Sequence, residues 1–137
     1  MYWAGERLGP ERLKTAYAYN DLMDNSQNKI VFGTDFPVED INPLYTFFAA
    51  TERKDLHAFP KNGFQPENKI RKKDALRAMT IWAARSNFEE QEKGSIEEGK
   101  YADLVVLDQD IMKIEGSKIP KTRIMATYLN GEKVYGE

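Results

Sequence analysis

Lys29-Ile30-Val31-Phe32-Gly33-Thr34-Asp35-Phe36-Pro37 is the stretch on which the reading of the fold turns. Its first four residues form a short β-branched and aromatic run, the composition of a buried strand. Gly33 permits an unusual backbone angle and Pro37 stops strand pairing, so the chain is expected to leave the sheet here. Asp35 then stands just past the strand end, where α/β barrels put their catalytic groups. Local sequence leaves a second reading open, an Asx-turn in which the Asp35 carboxylate only hydrogen-bonds nearby backbone amides.

Upstream of this stretch, Gly9-Pro10-Glu11 reads as a helix start, because proline tolerates the first helical position and an acid there complements the dipole. Leu13, Ala16, Tyr17 and Met23 follow at helical spacing, which predicts a helix over 11–24 and a turn over 24–28. Helix, turn and buried strand in that order make an α/β unit. Downstream, Asn42-Pro43 opens a helix over 44–51, and a loop rich in Gly, Pro and Asn runs over 58–68. Ala75, Leu76, Met79, Trp82 and Ala83 recur with helical period and predict a packed helix over 74–88. After Lys93-Gly94 the texture turns strand-like, with apolar β-prone runs at 102–107 and 124–129. Asn130-Gly131 between Tyr128-Leu129 and Glu132-Lys133-Val134-Tyr135 signals a hairpin whose two-residue turn needs positive φ at both centres. A domain boundary is expected near residue 94.

Composition narrows the chemistry. The 137 residues are about one domain's worth, and a hydrophobic content of 41% is enough for one core. With 20 Lys and Arg against 22 Asp and Glu, interspersed, the formal charge of −2 gives no electrostatic case for nucleic acid. The apolar runs are far too short for a membrane span, and residues 1–7 lack the basic head and apolar stretch of a secretory leader. A cytoplasmic protein without membrane partners is the expectation. The absence of cysteine rules out disulfides and thiolate metal sites, and a single histidine, His57, rules out a zinc site built on several imidazoles. His57 reads as a loop histidine, Met79 and Trp82 as core packing, and the basic run at 69–73 as a solvated approach to a helix. The Gly94-Ser95-Ile96-Glu97-Glu98-Gly99 loop lacks the residue order of a phosphate-binding loop.

Several segments, taken in order, carry a resemblance that covers almost the whole chain. Leu8-Gly9-Pro10-Glu11-Arg12 with Ala16-Tyr17, Val31-Phe32-Gly33-Thr34-Asp35-Phe36-Pro37-Val38-Glu39 and Asn42-Pro43-Leu44-Tyr45 resemble the amidohydrolase superfamily, in the branch that includes N-substituted formamide deformylase. Asp74-Ala75-Leu76-Arg77-Ala78-Met79-Thr80-Ile81-Trp82-Ala83-Ala84 is similar to the family's helix after the barrel. Gly94-Ser95-Ile96-Glu97-Glu98-Gly99-Lys100-Tyr101-Ala102-Asp103-Leu104-Val105-Val106-Leu107-Asp108 is similar to its small β domain.

The resemblance implies an α/β fold: residues 1–93 as the C-terminal segment of a (β/α)-barrel, and residues 94–137 as strands of a composite small β-sandwich domain. It implies hydrolysis of carbon–nitrogen bonds other than peptide bonds in a small amide-type substrate, with a divalent metal such as zinc. The family's ions are held by histidines early in the barrel, often a carboxylated lysine, further histidines and a final aspartate after the eighth strand. Asp35 matches that aspartate, which touches the metal and handles the proton of the attacking water. The chain starts just before the seventh barrel helix, Met1 falls at an internal family position, and His57 matches no ligand position. Alone, it is therefore expected to bind no catalytic metal and to lack activity. The reading of another class is a free-standing structural module that self-associates, because the strand at 29–32 and the terminal ribbon lack their neighbours. Under either reading a homo-oligomer is expected.

Overall fold

Asn42 shows how local chemistry starts a helix here: its side-chain oxygen accepts from Leu44 N at 3.0 Å while Pro43 takes the first helical position. In the computed structural model, which describes residues 3–27 and 29–136, this helix is the third of five. The helices are α1 (Ala4–Leu13), α2 (Tyr19–Asn25), α3 (Pro43–Glu52), α4 (Lys72–Met79) and α5 (Ile81–Ser86). Short 3-10 helices lie at Pro66–Asn68 and Gly116–Lys121. Strands β1 (Leu104–Leu107), β2 (Ile124–Leu129) and β3 (Glu132–Tyr135) form one antiparallel sheet in the order β1-β2-β3. The architecture is thus a mixed one, helices followed by a small three-stranded antiparallel sheet.

Three expectations change in detail. The helix over 11–24 is two helices, because Tyr17 takes a left-handed φ of 59° and its carbonyl accepts from Tyr19 N. The ends are tied from far along the chain, with Gln65 Nε2 donating to Leu13 O at 2.6 Å. Gly9-Pro10 does start a helical segment: α1 kinks at Gly9, where φ is 70° and ψ 168°. The helix over 74–88 begins at Lys72 and breaks at Thr80, whose hydroxyl bonds back to Leu76 O at 2.8 Å and whose φ and ψ are −127° and −98°. Leu76, placed on the apolar stripe, is exposed.

Residues 29–33 run without the pairing of a strand. A strand is defined by a neighbour, and in place of a ladder Phe32 N donates to Ala78 O of α4 at 3.2 Å. Ile30 and Phe32 nonetheless pack against the core, as a buried run should. Asn28, in the turn read over 24–28, lies outside the described residues.

The core is built on α3, whose Leu44, Phe47 and Phe48 are buried together with Met23, Ile70 and Ala75. Ile111 and Ile119, from the crossover between β1 and β2, join the same cluster, and Met79 and Trp82 pack against it. Lys72 Nζ donates to Ile114 O, fastening that crossover to α4. The sheet itself follows the predicted hairpin: Asn130 at φ 50° and Gly131 at φ 81° turn β2 into β3. Asp103 Oδ1 accepts from Asn130 N at 2.7 Å, so the turn is also held from the start of β1.

Candidate functional site

Asp35 sits at the outer end of the 29–33 segment, exposed, with φ 56°. A left-handed conformation costs an ordinary residue energy and is least costly for Asp, Asn and Gly. Its carbonyl accepts from Val38 N at 2.8 Å, closing a turn that includes the cis Phe36–Pro37 bond. The side-chain turn in this loop is made by its neighbour, Thr34 Oγ1 accepting from Phe36 N at 3.3 Å. The Asp35 carboxylate makes no hydrogen bond or ion pair among the described residues, so the Asx-turn alternative is not how the loop is held.

Asp35 lines a cavity of about 840 Å³ that runs beside α3. The same cavity is lined by Arg53, the left-handed residue (φ 57°) that ends α3. Only 9% of Arg53 is exposed. Its guanidinium lies 4.8 Å from the Tyr19 ring centre and 5.5 Å from that of Phe64. Nε donates to Phe64 O at 3.0 Å and Nη2 to Gln65 Oε1 at 3.3 Å. Burial pushes this guanidinium below its ordinary pKa, with Tyr19 and Glu67 opposing. The Tyr19 ring also meets that of Phe32, centres 5.7 Å apart and planes tilted by 59°, so the clamp around Arg53 reaches the segment that ends at Asp35. Nothing local in the sequence singles out Arg53: its partners at 17, 19, 64 and 65 converge only in three dimensions.

His57 is exposed in the loop after α3 and does not line the cavity; its N–H donates to Asp55 Oδ1 at 2.9 Å. Among the described residues, no three His, Cys, Asp or Glu side chains come together in a way that could hold a metal ion. The side chains around Asp35 therefore do not by themselves fit a zinc ion, which takes three or four protein ligands in known sites. Lys100, with a side chain only 10% exposed, bonds Ser95 Oγ at 2.6 Å and lies 3.7 Å from Glu97 Oε2. It staples its own loop. No helix among the described residues is long and apolar enough to cross a membrane.

Comparison with known proteins bears on the chain as a whole. The chain is 37% identical over 133 residues to Protein LONG AFTER FAR-RED 3 of Arabidopsis thaliana, an alignment covering 95% of this chain and 22% of that protein. It is 30% identical over 133 residues to the putative amidohydrolase YtcJ of Bacillus subtilis, covering 97% and 25% respectively. To N-substituted formamide deformylase of Arthrobacter pascens it is 28% identical over 129 residues, covering 94% and 22%. A crystal structure of an uncharacterized metal-dependent hydrolase from Pyrococcus horikoshii superposes with a TM-score of 0.70 at 29% identity, over 84% of this chain and 23% of that one. The chain thus spans about a quarter of the length of the curated relatives it matches. A profile of the amidohydrolase family matches residues 1–135, and the chain belongs to that family.

Proposed function

We propose that this chain is the C-terminal section of a metal-dependent amidohydrolase that cleaves carbon–nitrogen bonds other than peptide bonds in small amide-type molecules. Asp35 is the residue this section brings to the reaction centre. The observation that carries the reading is the Asp35 carboxylate, exposed at a left-handed turn and committed to nothing else in the chain, within a family match over 1–135. In this reading α2, the segment over 29–33 and α3 are the last units of a (β/α)-barrel. Residues 1–93 form that barrel portion and 94–137 the strands of a small β domain. A divalent ion such as zinc would take its other ligands from outside residues 1–137, and an acidic side chain beside it suits proton handling. The isolated chain is then inactive.

The test is hydrolysis of a panel of N-formyl and N-acyl amines by a protein in which this chain is joined to the preceding barrel strands of its own gene. Asp35→Asn is expected to lower kcat by about 10²- to 10⁴-fold with the fold intact. Full activity in that variant, or turnover by the 137-residue chain alone, would overturn the assignment.

A further inference from the structure

Arg53 is enclosed by this chain's own residues and is buried by them alone. Further chain can add to that burial but cannot remove it. A buried guanidinium is a costly way to fill space, because burial works against its charge and an apolar side chain of like volume packs as well. What it supplies is direction. Its donors fix three points on two separate segments: Tyr17 O ahead of α2, and Phe64 O and Gln65 Oε1 in the loop after α3. The Tyr19 ring lies against the guanidinium, 4.8 Å from ring centre to its carbon, which fixes the first residue of α2. Two further bonds tie the same pair of segments, Gln65 Nε2 donating to Leu13 O and Asn20 N to Asn68 Oδ1.

Tyr19 hands this position on to Phe32, three residues before Asp35, and both rings pack against the core. Beyond Phe32 the path is short and stiff: Thr34 Oγ1 accepts from Phe36 N and Asp35 O from Val38 N. Ladder hydrogen bonds lie in the plane of a sheet, whereas side chains stand on its faces. The height of the 29–33 segment against α2 is therefore set by Phe32 and Tyr19, whatever strands pair beside it. We propose that Arg53 is a positioning residue for Asp35, acting through Tyr19 and Phe32. The inference rests on the reading of Asp35 as the residue brought to the reaction centre, and Arg53 itself is assigned no contact with substrate or metal. Misplacing a reacting group by about 1 Å can cost about 10²-fold in rate, so a remote clamp of this kind has a kinetic consequence.

Two measurements test it, one of them independent of the hydrolase reading. In the 137-residue chain, amide hydrogen exchange is compared between Arg53→Met and Gly99→Ala, whose added Cβ meets nothing within 4 Å, at urea concentrations that give both variants the same global stability. The amides of Phe32 and Val38, which flank Asp35, are expected to exchange about tenfold or more faster in Arg53→Met. Equal rates would overturn the proposal and leave Arg53 as packing. Should Arg53→Met not fold, Tyr19→Leu replaces it, because it cuts the same path at the next contact. In the longer protein that joins this chain to its preceding barrel strands, each of these two variants is expected to lower kcat per bound metal by about tenfold or more, with KM changed by less than about twofold. The double variant is expected to be no worse than either single one. Additive losses, or an unchanged kcat, would overturn the proposal. A longer protein that hydrolyses no amide, alongside faster exchange at Phe32 and Val38, would overturn the hydrolase reading and leave the coupling from Arg53 to the Asp35 loop standing.

Discussion

Asp35 and Arg53 line the same cavity, yet they differ in what the fold asks of them. Asp35 has an exposed carboxylate with no partner among the described residues, in a turn held by Thr34 and by its own backbone. Removing that carboxylate breaks no hydrogen bond and adds only the small extra cost of Ala over Asp at φ 56°, so Asp35→Ala is expected to change the stability of the isolated chain by less than about 1 kcal/mol. Urea denaturation checks this, and a large loss would return Asp35 to a structural role. Arg53 is buried between two rings and bonds Phe64 O and Gln65 Oε1, while Nη2 also reaches Tyr17 O at 3.5 Å. Arg53→Met keeps much of the volume and loses these bonds and the ring contacts. The expected cost is about 2 to 4 kcal/mol in the same denaturation experiment.

At the scale of elements, a returning loop packs closely on the break between α4 and α5. Gly94, at φ 91°, lies so close to α5 that an added Cβ would be 2.7 Å from Ala84 Cβ and 2.9 Å from Ile81 Cα. Gly94→Ala must strain its backbone and displace the helix, and is expected to cost about 2 to 4 kcal/mol. Gly99, at φ 89°, has nothing within 4 Å of the same added atom. Gly99→Ala therefore carries only the backbone penalty, about 1 to 2 kcal/mol. The difference between the two melting curves measures the close approach rather than the glycine. α3 and the terminal hairpin were legible from sequence because their determinants are local. Asn42-Pro43 caps and starts one; Asn130-Gly131 supplies the positive φ values of the other. Helix ends at Tyr17 and Thr80 were not, since the residues that hold or crowd them lie far along the chain.

For the whole molecule, ligand supply sets a limit on chemistry. One histidine, no cysteine and no convergent group of three ligating side chains among the described residues leave Asp35 as a single carboxylate. The purified chain is expected to retain substoichiometric zinc after dialysis, measured by elemental analysis. One equivalent of tightly held zinc per chain would contradict this. The core, meanwhile, crosses the sequence: Ile111 and Ile119 are buried with Phe47 and Phe48 of α3, about seventy residues earlier. The family was already determined by sequence, because an ordered series of motifs carries it whatever surrounds the chain. So were α3 and the hairpin, whose caps and turn angles are properties of adjacent residues. Only the tertiary structure decided that 29–33 runs unpaired, that Arg53 is clamped between distant aromatics, and that Asp35 and Arg53 line one cavity beside α3. Strand pairing, burial of a charge and the shape of a surface all depend on which remote segments meet, and residue spacing along the chain does not encode that meeting.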